Sequence, residues 1–135
     1  MRKGYCYERN GRKFMDMGSN RRFKLVHGCV MGSGPIAGRH IGHCWIEETK
    51  YIKVPKDWKV SNKTFKMVTV HDYSRRYKRG HHLPMELYYH YGRIEERYVK
   101  RYNLERFNIN ALKYENWGPW PGDPVCRGRV RSLRR

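Results

Sequence analysis

Apolar residues fall in short blocks along the chain, separated by glycine-rich or charged runs. Within YCYERNGRKFMDM (5–17), Tyr7, Phe14 and Met15 are spaced to share one face, which predicts a short helix despite Gly11. Gly-Ser-Asn at 18–20 closes it, with Gly18 where glycine is favoured after a helix. FKLVHGCVM (23–31) predicts a strand, and GSGPIAGRHIG (32–42) a glycine-rich turn. HCWIE (43–47) and KYIKV (50–54) predict two further strands, and a lysine-rich excursion runs through 55–65. The β-branched run KMVTVHD (66–72) predicts another strand. Pro84 opens a short helix, PMELYYHYG, that Gly92 ends. ERYVKRY (96–102) alternates like an edge strand, and Asn103 caps a last helix reaching about Tyr114.

Strands in a run, with helices at each end, predict an α+β domain: an antiparallel sheet with an N-terminal helix carrying Cys6 and helices packed on it. Neither an internal repeat nor a linker divides the chain, so residues 1–120 form one domain. Residues 121–135 are expected to be a basic C-terminal tail, with five arginines in the last nine positions.

A length of 135 residues fits one modest core, and 39% apolar residues with 11 Tyr and 4 Trp are enough to build it. Thirty Lys+Arg against twelve Asp+Glu leave a net charge of +18. Such a charge bears on partners rather than on fold. It favours an acidic substrate, nucleic acid or another anionic surface, and it is equally compatible with a solvated face that serves no partner. No stretch approaches the ~20 apolar residues of a membrane span, so no membrane partner is expected. The N-terminus lacks the apolar segment of an export signal, which implies a cytoplasmic location with Cys6, Cys29, Cys44 and Cys126 reduced. No C-x-x-C pair is present, no cofactor is implied, and the oligomeric state is left open.

Cys6 falls in the first turn of the first predicted helix, where unpaired N–H groups and the helix dipole favour a thiolate. Arg2, Lys3 and Arg9 act in the same direction. A reactive thiol needs a base, usually histidine, and a group that orients it. His43 begins a predicted strand directly after the glycine turn. His43, Trp45 and Glu47 then face one side, and Cys44 and Ile46 the other. Asp72, at the end of a later strand, is placed to orient His43. The alternatives are a buried inert Cys6, a His43 bonded only to backbone, and an Asp72 that merely starts a turn.

The strings Cys6-Tyr7-Glu8, Leu25-Val26-His27-Gly28, Gly32-Ser33-Gly34-Pro35-Ile36-Ala37-Gly38 and Gly42-His43-Cys44-Trp45-Ile46-Glu47 form a series. It resembles small uncharacterised bacteriophage and bacterial proteins reading C-Y-E…L-V-H-G…G-x-G-x-I-x-G…G-H-A-W-V-E. Val68–Asp72, Leu83–Tyr89 and Trp117-Gly118-Pro119-Trp120 continue the likeness. Cys44 departs from it, standing where the pattern has alanine. The H-x-W-x-E strand also resembles the core of papain-like and transglutaminase-like cysteine enzymes. That resemblance implies Cys6 as nucleophile, His43 as base and Asp72 as orienting residue. The implied activity is hydrolysis or transfer of an amide or related acyl bond through a thioester. Trp45 and Trp117 are then expected to wall the substrate cleft. His27 either donates to a developing oxyanion or packs in the sheet.

Two rival functions compete. Cys6, His27, Cys29, His40, His43 and Cys44 are zinc-ligand types, but their spacing lacks the tight pairs of a structural site, so no metal is expected. A non-catalytic basic phage protein binding nucleic acid is the alternative function. Arg75, Arg76, Lys78 and Arg79 lie among tyrosines, and Arg127, Arg129 and Arg131 lie in the tail; these are its candidate contacts. The turn GSGPIAG lacks the Gly-Lys-Ser/Thr ending of a phosphate-binding loop. His81-His82 is expected in a solvent-facing basic turn.

Overall fold

A computed structural model describes residues 5–17, 20–61, 63–74 and 79–130. The chain runs α1 (Tyr5–Met17), β1 (Phe23–Met31), β2 (Arg39–Lys53), β3 (Thr64–Asp72), β4 (His81–Pro84), α2 (Met85–Gly92), β5 (Val99–Tyr102), α3 (Leu104–Tyr114) and β6 (Gly128–Arg129). The strands form one antiparallel sheet in the order β4-β3-β2-β1-β5, with β6 added to β2. This is the expected α+β class, with an antiparallel sheet and three helices. Gly18 lies outside the described residues.

Alternation along β1 and β2 sorts their side chains to two faces. On one face Leu25, Cys44 and Ile46 pack with Cys6, Tyr7 and Phe14 of α1 and Phe107 of α3. On the other, Val26 and Trp45 pack with Val70, Ile94 and the α2 residues Met85, Tyr88 and Tyr89. The sheet is thus covered on both sides. Gly11 is tolerated inside α1 because Trp117 sits against it: a Cβ there would lie 2.7 Å from the indole. Met15, expected on the buried face of α1, is exposed instead, and Asn10 takes a place on that face.

Three differences from the sequence reading bear on the site. The strands expected at 43–47 and 50–54 are one continuous strand, β2. Glu48 looked like a break, but it is buried and accepts from His71 Nε2 at 2.9 Å. His81-His82 belongs to strand β4 rather than a turn, and His82 Nδ1 lies 2.6 Å from His71 Nδ1. The described part of the tail, 121–130, is not a free arm. Asp123 bonds His27 and the Tyr102 hydroxyl, β6 pairs with β2, and Cys126 forms a disulfide with Cys29. Two of the four cysteines expected to be reduced are therefore joined. Their separation of 97 residues hides in the sequence a proximity that the returning C-terminal segment creates.

Candidate active site

The edge of β2 that faces β3 is where the candidate residues converge. β3 pairs with β2 only from Ile46 onward, while β6 takes Arg39 and His40. Among the described residues, no strand pairs with 41–45 on that edge. The first turns of α1 lie there instead, and Asn10 Nδ2 donates to the Cys44 carbonyl at 3.0 Å. Gly42 allows the close approach, since a Cβ there would meet the Tyr7 hydroxyl at 2.7 Å.

His43 projects from this stretch, and its Nε2 lies 2.9 Å from Asp72 Oδ2. An ionised carboxylate only accepts, so Nε2 carries the proton and Nδ1 is left for another partner. Cys6, in the first turn of α1, lies near enough to the imidazole to raise it through charge and hydrogen bonding. Trp45 stacks alongside, with ring centroids 6.2 Å apart at 29°. A fifth of the His43 side chain stays open to solvent, whereas Asp72 is 4% exposed.

Asp72 is held from several directions. Its Oδ2 accepts from the Tyr88 hydroxyl at 2.8 Å. Its Oδ1 accepts from Asn10 Nδ2 at 3.2 Å and from the Ser74 backbone N–H at 3.0 Å. Burial alone would raise this carboxyl. The facing His43 charge and the bonds from His43, Tyr88 and Asn10 override burial and hold it well below the ordinary range. Burial likewise opposes charge on His43, but Asp72 and then Cys6 outweigh it and push the imidazole up to about 10. His43 is therefore favoured in its charged form beside the Asp72 carboxylate, with Cys6 next to it. Cys44, the other free cysteine, is fully buried; burial first, then the nearby Cys6 and Asp72 charges, push its thiol up.

Asn10 was not singled out in the sequence, yet it ties the site together. Fully buried, it donates to the carbonyls of Cys6 (3.1 Å) and Cys44 and to Asp72, and it accepts from the Tyr73 N–H at 2.8 Å. One amide thus links the cysteine helix, the histidine strand and the end of the aspartate strand. The available signal was a polar residue on the face of α1 that also carries Cys6, Tyr7 and Phe14. Tyr88, whose hydroxyl donates to Asp72, is the second such residue.

The structure brings Cys6, His43 and Asp72 together and places the other candidates elsewhere. Trp45 is fully buried and donates its indole N–H to Glu47 at 3.0 Å, so it is a core residue rather than the wall of an open cleft. Trp117 is wedged against Gly11 and Phe107 between α1 and α3, with the Arg12 guanidinium over its ring. His27 is buried among Tyr7, Tyr102 and Trp120, its Nδ1 bonded to Asp123 at 2.8 Å and its Nε2 without a partner among the described residues. Cys29, His40 and Cys126 bring potential metal-ligand atoms within 4.8 Å of one another, with the two sulfurs bonded to each other. Arg79, Arg127 and Arg129 are exposed; Arg75, Arg76, Lys78 and Arg131 lie outside the described residues. No helix in the described residues is long and apolar enough to cross a membrane.

No family model, curated protein or solved structure matches this chain.

Proposed function

We propose that the protein is a cysteine-dependent enzyme that hydrolyses or transfers an amide or related acyl bond through a thioester on Cys6, built on a papain-like or transglutaminase-like core. The observation that carries this reading is the His43 ring, bonded through Nε2 to Asp72 and with Cys6 beside it on α1. In this mechanism the thiol proton resides on His43 while Cys6 Sγ attacks the acyl carbon. His43 then delivers that proton to the leaving amine, and the thioester forms as the C–N bond breaks. Water or a second amine, deprotonated by His43, releases the acyl group and restores the thiol. The oxyanion formed at each stage lies beside the first turn of α1, whose N–H groups lack acceptors within the helix. Asp72 keeps the ring oriented and stabilises its charge. Asn10 is a positioning residue that fixes Asp72 against α1. The charge of +18 favours an acidic or nucleic-acid-associated substrate.

Alkylation of the native protein tests this pairing. With limiting iodoacetamide near pH 7, Cys6 is expected to label well before Cys44. The Cys6 rate is expected to fall about tenfold or more in His43→Ala. Labelling of Cys6 only on unfolding, or at the same rate without His43, would remove the basis of the proposal.

A further inference from the structure

The β2–β3 hairpin carries a second set of residues that neither the core nor the Cys6 site uses. Residues 50–66 contain six lysines (Lys50, Lys53, Lys56, Lys59, Lys63 and Lys66) against one acid, Asp57. Among the described residues, Lys53, Lys56, Lys59 and Lys63 make no salt bridge. The same segment exposes three aromatics: Tyr51 is 69% exposed, Trp58 60% and Phe65 48%. Folding gives no reason for this, because the apolar positions that build both core clusters stop at Ile46 on β2 and Val70 on β3. Large aromatics left in water along one charged segment mark an interaction surface.

Register shows how the two kinds of residue are combined. Tyr51 stands opposite Lys66, Ile52 opposite Phe65, and Lys50 opposite Met67. Directly paired residues share a face, and faces alternate along each strand. One face therefore presents Tyr51 beside Lys66, and the other presents Phe65 with Lys50. At the base of the hairpin, Arg21, Arg22, Lys24, Lys50 and Lys66 line an open groove of about 680 Å³, with Tyr51 on its wall. Glu48 is the acid that meets this cluster, 3.9 Å from Arg22 and 3.8 Å from Lys50. It already bonds His71, so most of the groove's positive charge is left over.

We propose that this hairpin and the groove at its base bind single-stranded nucleic acid. Lysines and arginines along the hairpin and groove supply electrostatic affinity for a phosphate backbone, and exposed aromatics supply faces on which unpaired bases stack. A duplex offers only the first interaction, because its bases already stack on one another. An anionic lipid surface would pair with the lysines but offers no bases for the aromatics to stack on. The inference does not depend on the Cys6 reading, since no residue is shared between the two sites.

Fluorescence anisotropy of the full chain with a labelled oligothymidylate of about twenty nucleotides tests it, at several salt concentrations. The single strand is expected to bind about tenfold or more tightly than a duplex of equal length. Tyr51→Ala, Trp58→Ala and Phe65→Ala are each expected to weaken binding about fivefold or more while leaving the salt slope unchanged. The double variant Lys53→Ala/Lys63→Ala is expected to reduce that slope by about 1.4. All five positions are exposed, and unchanged melting curves would establish that the variants fold. The proposal is overturned if duplex binds as well as single strand, or if vesicles containing phosphatidylserine compete as effectively as the unlabelled oligonucleotide. It is equally overturned if the aromatic variants bind like wild type, leaving only a solvated positive surface.

Discussion

Asp72→Ala is expected to destabilise the protein by about 3–5 kcal/mol at neutral pH, because it leaves a buried cation and several hydrogen-bond donors without their acceptor. His43, Asn10, Tyr88 and the Ser74 N–H all lose their bonds to this carboxylate at once. The loss also carries a pH signature. The folded His43 is raised to about 10, against an ordinary value of ~6.5. Its contribution is full below ~6.5, declines as the folded state alone keeps the proton, and is gone above about 10. Asp72 acts in the opposite sense. Its depressed carboxyl contributes above the ordinary ~3.9 and is lost as acid protonates the folded form. The pair therefore stabilises most between ~4 and ~6.5. Urea denaturation across pH, wild type against variant, isolates it. The difference between the curves should be largest in that window and shrink toward about pH 10. A variant within ~1 kcal/mol of wild type, or a difference independent of pH, would contradict the ion pair.

Asn10→Ala is expected to cost a similar amount, about 3–5 kcal/mol, although the residue carries no charge. A buried hydrogen-bonding group left unsatisfied costs about 1–3 kcal/mol, and this truncation strands several. The carbonyls of Cys6 and Cys44, Asp72 Oδ1 and the Tyr73 N–H each lose a bond to this amide, Asp72 Oδ1 keeping the one from the Ser74 N–H. Asn10→Asp separates hydrogen bonding from volume. It keeps the acceptor for Tyr73 but replaces the donor with a second carboxylate facing Asp72. It should be at least as damaging near neutral pH, and part of the loss should be regained in acid as the new carboxyl protonates. Thermal melts of both variants check this. An Asn10→Asp protein as stable as wild type at neutral pH would show that the amide does not face Asp72.

The strands and helices were legible where an apolar run or a cap marked them, as in β1 and, through Asn103, in α3. Legibility failed where a polar residue is buried through a distant partner. Glu48 interrupts the hydrophobic pattern of β2, and its bond to His71 on the neighbouring strand, with Arg22 and Lys50 close by, explains its burial. β4 is four residues ending in proline, too short for any pattern, and its pairing with β3 defines it. The C-terminal segment reads as a basic tail because Asp123 and Cys126 act through His27 and Cys29, 96 and 97 residues away in sequence.

The site divides along the same line. Cys6, His43 and Asp72 are chemically distinctive, so residue type and predicted element sufficed to nominate them. Asn10 and Tyr88 are ordinary helix residues until the sheet edge they reach is known. Trp45 and Trp117 illustrate the converse. The resemblance suggested cleft walls, but large rings also fill a core, Trp45 between the sheet and α2 and Trp117 between α1 and α3. His27 shares the local string that attracted attention, yet its face of β1 is the one covered by α1 and the C-terminal segment.

The most direct test of a nucleophilic Cys6 is acyl transfer from an activated ester. Native protein mixed with a nitrophenyl acetate ester should gain one acetyl group on Cys6, seen by intact mass and peptide mapping, and then lose it to water. The adduct should be absent in Cys6→Ala and should form about a hundredfold or more slowly in His43→Ala. Acetylation confined to surface lysines, with Cys6 unmodified in the folded protein, would contradict the assignment.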